Sequence, residues 1–353
     1  VRRTGKTTLA QTLDKIEYVD CELPRVRKTM EDPGEFLKGL KGKRVVIDEV
    51  HRLRNPSELL KIAADHFPQV KILATGSSTL GASRKFQDTL TGRKFSIWLT
   101  PMNRADLEDF RNRNLKHRFL RGGLPPFFMS KEILEAEFQE WMDDYWSKDI
   151  QELFRLERRS SFQQFVELVM ARSGGIFEAT RYTSECEVSR QTIVNYLRVL
   201  ETTLVAHIIK PFSSHKPTEI VSAPKVCGFD TGFVCYYRGW HELRSEDMGL
   251  LWEHFLLNEI HSRLTGSEIR YWRDKQGHEV DFIMIQRGQV PVAVECKWNS
   301  DQFDSSNMKA FRKIYPQGDN YVLSHDVDRS FRRQFDNLPV QFLSPEDFMD
   351  KIK

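Results

Sequence analysis

Val1-Arg2-Arg3-Thr4-Gly5-Lys6-Thr7-Thr8 is the stretch on which the reading of this chain turns. It follows the phosphate-loop pattern G-x-x-x-x-G-K-[ST], with Val1 to Thr4 as the four variable positions and Gly5-Lys6-Thr7 as its close. The pattern's first glycine would precede residue 1, so a chain opening on valine inside a motif reads as N-terminally shortened. Gly5 lets the backbone approach phosphate oxygens, while main-chain N–H groups and a helix N-terminus supply positive potential. Lys6 is placed to reach the β- and γ-phosphates, and the Thr7 hydroxyl to ligate magnesium. Arg3, Thr4, Gly5, Lys6, Thr7 and Thr8 are therefore the expected nucleotide-binding residues, with ATP and Mg2+ as ligands.

Downstream, Arg44-Val45-Val46-Ile47-Asp48-Glu49 is an apolar run that ends in two acids. Such a run suits a strand buried on both faces of a parallel sheet. Asp48 is expected to hold the magnesium through water, and Glu49 to act as general base on the attacking water. A third strand, Lys71–Ala74, leads into Thr75-Gly76-Ser77-Ser78, where Ser77 or Ser78 is a candidate γ-phosphate sensor or simply a helix cap. Strand patterns at Ile16–Val19, Val45–Ile47, Lys71–Ala74 and Phe95–Leu99 alternate with helical stretches, which predicts an α/β fold with a parallel sheet wound by helices.

The loop, Asp48-Glu49, Thr75-Gly76-Ser77-Ser78, Gly92-Arg93 and Gly122-Gly123-Leu124-Pro125 together resemble the AAA-superfamily ATPases of bacteria and archaea. The resemblance is to the subgroup joined to a C-terminal domain of unknown function with a nuclease-like core, and it extends over nearly the whole chain. It implies three parts: an AAA-type P-loop domain over 1–125, a helical linker with a winged helix over 126–240, and an α/β nuclease-like domain over 241–353. It also implies a γ-phosphate-contacting arginine, for which Arg93 or Arg84 is the candidate, from the same chain or a neighbouring subunit.

In the middle part, Ser189 reads as the N-cap of a helix, and Ile193, Tyr196, Leu197, Leu200 and Leu204 recur at helical spacing as one apolar face. Arg190, Gln191, Asn195 and Arg198 fall outside that face, and such side chains pair with base edges in a major groove. A protein-contact role for the same helix is the competing reading. Basic residues at 111, 113, 116, 118 and 121, and at 155, 158 and 159, suit either a phosphate backbone or a solvated surface.

Near the C-terminus, Glu279-Val280-Asp281-Phe282 and Val292-Ala293-Val294-Glu295-Cys296-Lys297 alternate at period two, as half-buried strands do. Gly288 lies in the short connection, so the two strands are expected to form a hairpin that brings Asp281, Glu295 and Lys297 together. Two acids and a lysine so placed suit a metal-dependent phosphodiesterase. The pattern resembles the PD-(D/E)XK nucleases, in which Asp281 and Glu295 would bind magnesium and Lys297 would orient water. A further acid from a preceding helix is expected at Glu253, with Glu259 as the alternative. An inactive nuclease fold kept for binding is the other reading.

Composition narrows the partners. With 40% hydrophobic and 29% charged residues and a net charge of only +3, the totals describe an ordinary globular chain and leave nucleic-acid binding to local clusters. The five cysteines are scattered without C-x-x-C spacing, which argues against a zinc site or disulfide framework and for a reducing, cytoplasmic setting. No apolar run reaches the roughly 20 residues of a membrane helix. DNA is the expected macromolecular partner, with a protein partner or a homo-oligomer as the further expectation.

Overall fold

The computed structural model describes residues 1–76, 90, 92–132, 134–154, 156, 158–213, 223–263, 268–285 and 290–352. Ser77, Ser78, Arg84, Arg155 and Gly288 lie outside them. The described strands form two sheets. The first holds β1 (Ile16–Asp20), β2 (Arg44–Asp48) and β3 (Lys71–Ala74), all parallel, with β2 central. Burial explains the order. Val45, Val46 and Ile47 are almost fully inaccessible, so their strand must be covered on both faces and lie between neighbours. Helix Lys6–Gln11 and helix Pro56–His66 flank this sheet; the latter buries Leu59 and Ala63 against the cluster of Val45, Ile47 and Leu37.

Phe95–Leu99 does not form the expected strand. The segment is irregular, with Phe95 and Ile97 exposed and Trp98 set edge-on to His207 and His261. Its alternating apolar pattern carries strand propensity, but a strand also needs a neighbouring edge, and none of the described strands pairs with it.

The second sheet is mixed and nine-stranded, in the order β11-β12-β10-β9-β8-β7-β5-β6-β4. Its members are β4 (Gly175–Ile176), β5 (Ala206–Pro211), β6 (Lys225–Gly228), β7 (Glu268–Arg273), β8 (Glu279–Ile285), β9 (Val292–Lys297), β10 (Asn320–Ser324), β11 (Phe331–Phe335) and β12 (Leu338–Leu343). The structure is thus α/β: a small parallel sheet with helices, then a larger mixed sheet. The middle strands do not stand apart. β5 is antiparallel to β6 but also pairs in parallel with β7, Lys210 opposite Arg270 and Pro211 opposite Tyr271.

Ser189 caps helix Arg190–Thr202 by accepting a hydrogen bond from the Thr192 N–H, and the buried face is Ile193, Tyr196, Leu197, Val199 and Leu200. Helix Met248–Arg263 is buried nearly all round, from Leu251 to Ile260, and so lies inside the core rather than on its surface. Its polar members each find a partner: His254 sits 2.6 Å from the Ser173 hydroxyl, and the Asn258 amide donates to the Phe229 carbonyl. None of the described helices is long and apolar enough to cross a membrane.

Candidate functional site

Two clusters of reactive side chains are built by these elements. The first lies where the N-terminal loop meets β2. Gly5 adopts φ +87° as it turns the chain into helix Lys6–Gln11, a left-handed conformation that a side chain would strain. The Lys6 ammonium donates to the Val1 carbonyl at 2.7 Å, and burial draws its pKa below the usual lysine range against the opposing pull of Glu49. Thr4 is buried and also bonds to the Val1 carbonyl, so the loop is folded onto itself. Thr8 is exposed beside Thr7.

Asp48 is the fulcrum of this cluster. It is 3% exposed, yet its carboxylate is held by the Thr7 hydroxyl at 2.9 Å, the Tyr18 hydroxyl at 2.5 Å and the Thr75 hydroxyl. Burial would raise its pKa, but the hydrogen bonds from Thr75, Tyr18 and Thr7 outweigh that and keep it below the ordinary carboxylate value. A hydroxyl and an ionised carboxylate fit magnesium, an oxygen-seeking cation that keeps several waters. Glu49 stands next in sequence in the left-handed region, with its carboxylate 3.2 Å from the His51 ring. Burial and the adjacent Asp48 charge raise its pKa, the direction that suits a proton acceptor.

The loop's arginines point elsewhere. Arg2 pairs with the buried Asp149, and Arg3 lies 2.8 Å from Glu140 and 3.5 Å from Asp144, all on the helical stretch 135–150. Arg93 pairs with Asp65 at 2.6 Å on the outer side of helix Pro56–His66. Tyr18 and Thr75 were not singled out from sequence. Thr75 stands at the foreseen strand end, two residues before Ser77, whereas Tyr18 gave no motif signal.

The second cluster lies on the larger sheet. β8 and β9 are antiparallel with Phe282 opposite Val294, the expected hairpin. Asp281 accepts from the Cys296 N–H at 2.7 Å, and Lys297 lies 2.6 Å from Glu295 and 3.7 Å from Asp281. Glu253 from helix Met248–Arg263 joins this group, but through an unforeseen partner: the Lys225 ammonium, on β6, is 2.7 Å from Glu253 and 3.0 Å from Glu279. Glu259 goes elsewhere, accepting from the Arg104 N–H. Burial pushes the Glu253 pKa up to about 7 and that of Glu295 up to about 8, while Lys297 and Lys225 are held above the usual lysine value by their carboxylates despite burial. Among the described residues no three acids, histidines or cysteines converge as a metal-holding group. The carboxylates supply the right chemistry for magnesium, but they are gathered about ammonium groups.

Several DNA-facing expectations change at the level of side chains. Arg118 is fully buried, bonded to the Met102 carbonyl and Thr231 and 3.7 Å from Asp230, so it belongs to the core and not to a basic surface. Arg113 pairs with Glu108 and Arg159 with Asp143. Arg190, Gln191, Asn195 and Arg198 do lie exposed on their helix. Trp272 packs on Phe311, and Trp298 stacks on His325 at 3.6 Å, so aromatic packing accounts for both.

Comparison with known proteins identifies matches to three family models along the chain. Residues 1–108 match the family model described as an AAA domain. Residues 112–244 and 248–343 match two further models, both described as domains of unknown function, DUF8612 and DUF4143. An uncharacterised protein of Mycobacterium tuberculosis, Rv2008c, is 25% identical over 347 residues, covering 92% of this chain and 77% of that protein. Another from Methanocaldococcus jannaschii, MJ1544, is 22% identical over 348 residues, covering 89% and 77%. Among solved structures, a RuvB variant of Thermotoga maritima is 17% identical over 62% of this chain and 83% of that one, with a TM-score of 0.27. An assembly of Thermococcus gammatolerans McrB AAA+ hexamers with bound McrC aligns at 10% identity over 80% and 79%, with a TM-score of 0.26.

Proposed function

We propose that this chain binds and hydrolyses ATP at the loop–β2 cluster and that its nucleotide state governs a DNA-associated C-terminal module. The observation that carries the reading is the convergence of Thr7, Tyr18 and Thr75 on the ionised Asp48, beside the Gly5–Lys6 turn. In the reaction Lys6 neutralises charge on the β- and γ-phosphates. Thr7 and Asp48 would hold Mg2+, which would supply charge stabilisation to the departing phosphoryl group. Glu49 takes a proton from the water whose oxygen bonds to the γ-phosphorus, while the bond to the ADP oxygen breaks. The ion pairs of Arg2 and Arg3 with Asp149, Glu140 and Asp144 offer a route from loop to module, because a ligand in the loop acts on the same backbone that these arginines fix. Arg93, paired with Asp65, reaches a phosphate only by exchanging that partner.

The DNA part of the proposal rests on the exposed Arg190, Gln191, Asn195 and Arg198 of a helix that would serve a winged helix as its recognition element. ATP turnover with and without duplex DNA, in parent and Glu49→Gln protein, tests the whole. Turnover is expected to fall about 10²–10⁴-fold in the variant. DNA affinity is expected to decline steeply with salt. Weak binding indifferent to salt would favour a protein partner.

A second reading is supported by Asp281, Glu295 and Lys297 meeting at one place: a magnesium-dependent nuclease under nucleotide control. Asp281→Ala and Lys297→Ala should then abolish DNA cleavage while ATP turnover persists. Cleavage that survives both changes would remove this reading.

A further inference from the structure

Tyr18 enters the loop–β2 cluster without belonging to any motif. It lies on β1, where the register sets it beside Val46 and sets Asp20 beside Asp48. Side chains two residues apart on a strand share a face, so Tyr18 and Asp48 stand diagonally on one side of the sheet. A diagonal neighbour is about 7–8 Å away, within reach of an aromatic side chain. The two Asp48 oxygens are not used alike. Oδ1 accepts from the Thr75 hydroxyl and from the Glu49 N–H at 3.2 Å. Oδ2 accepts from the Thr7 hydroxyl at 2.9 Å and the Tyr18 hydroxyl at 2.5 Å. Thr7 has one hydroxyl hydrogen and two lone pairs. With that hydrogen directed at Oδ2, the lone pairs face away from Asp48, toward an approaching cation. The aim of Thr7 therefore depends on where Oδ2 points. The terminal torsion of an aspartate is broad, so the carboxylate does not fix its own rotation. Of the two donors on Oδ2, Thr7 is the one to be oriented and Tyr18 is the one that orients.

We propose that Tyr18 is a positioning residue for the magnesium side of the ATP site: its hydroxyl fixes Asp48 Oδ2, which directs the Thr7 hydrogen and leaves the Thr7 lone pairs to Mg2+. This role presupposes the ATP-binding reading and adds to it a residue outside both the phosphate loop and the acid-ended strand. Tyr18 acts through Asp48 and touches neither nucleotide nor cation. Its loss is therefore felt in how the site takes up Mg2+ and not in how the loop holds the nucleotide. Thr75 cannot replace it, because the Thr75 hydroxyl holds the other carboxylate oxygen.

Tyr18→Phe keeps the ring and removes only the hydroxyl. The full chain, parent and variant, is titrated with a fluorescent ADP analogue in EDTA, and the bound state is then titrated with Mg2+. Nucleotide affinity in EDTA is expected to stay within about twofold of the parent. The Mg2+ concentration giving half of the cation-dependent tightening is expected to rise about tenfold, as loss of a hydrogen bond to a charged group implies. Equal Mg2+ dependence in parent and variant overturns the role of Tyr18 and leaves the ATP reading standing. A lower Mg2+ requirement in Tyr18→Phe overturns it as well, since the hydroxyl would then obstruct the cation. Equal weakening in EDTA and in Mg2+ reduces Tyr18 to a support of the strand and also overturns it. A parent chain that binds the nucleotide under neither condition removes the ATP reading, and this role with it.

Discussion

At the scale of single residues, the decisive facts concern charges taken out of water. Lys6→Ala removes the cation of the phosphate loop, and ATP affinity is expected to drop about 10²-fold, measured by calorimetric titration. Unchanged affinity would remove the nucleotide site from this loop. Glu259 permits a pH prediction away from both clusters. Its burial raises the carboxyl pKa from 4.5 to about 7, despite the hydrogen bond from the Arg104 N–H. Between those values the folded protein holds a proton that the unfolded chain has released, so stability falls as pH rises from about 4.5 to about 7 and then levels. The full effect is at most about 3 kcal/mol. Glu259→Gln keeps an acceptor for Arg104 and is expected to match the parent near pH 4.5 and exceed it by up to that amount at pH 8. Parallel stability curves in denaturant titrations would show that the proton is not held. The two helix acids also illustrate what sequence can say. Spacing marked Glu253 as an acid on an apolar helix face, with Glu259 as the alternative, and the need for a partner followed from that alone. Which partner each found, Lys225 or the Arg104 N–H, depended on segments far away in the chain.

At the scale of elements, the Gly122-Gly123-Leu124-Pro125 run has a tighter role than a boundary between parts. Gly122 lies at φ +86° after helix Leu115–Arg121, and the helix Thr231–Tyr237 packs directly against it. A Cβ on Gly232 would lie 2.6 Å from the Gly122 nitrogen and 2.7 Å from the Arg121 carbonyl carbon, both backbone atoms that cannot turn aside. Gly232→Ala is therefore expected to cost about 2–4 kcal/mol, read as a lower midpoint in urea. A shift below about 0.5 kcal/mol would show that the two helices can separate freely. The close approach also seats Asp230, which accepts from the Gly123 N–H at 2.6 Å and faces the buried Arg118. Residue 118 reads as one of a basic cluster in the sequence because nothing local distinguishes a buried arginine from an exposed one. Helix 190–202 was legible for the opposite reason: its N-cap and its apolar face are both written within a dozen residues.

At the scale of the molecule, the larger sheet crosses the limits suggested by local breaks in the chain. β4, β5 and β6 precede residue 241 and β7 to β12 follow it, yet all nine share one hydrogen-bonded sheet. The Phe212 N–H extends the β5–β7 contact by donating to the Tyr271 carbonyl at 2.6 Å. Amide exchange in β5 is therefore expected to share the opening free energy of β7 and β8, as one cooperative unit. Exchange in β4 to β6 faster by orders of magnitude than in β8 and β9 would show instead that the sheet parts at β5.

The sequence by itself determined the Gly5 turn into the first helix, the acid-ended strand β2, the capped helix at Ser189 and the β8–β9 hairpin. Each rests on neighbours within a few residues, where spacing fixes which side chains share a face. Only the tertiary structure decided that Tyr18 and Thr75 hold Asp48, that Arg2 and Arg3 grip the helical stretch 135–150, that Phe95–Leu99 stays out of the sheet, and that Lys225 enters the acid cluster. These outcomes join segments from tens to more than a hundred residues apart. They are set by which buried charge meets which partner once water is excluded, a condition no local pattern encodes.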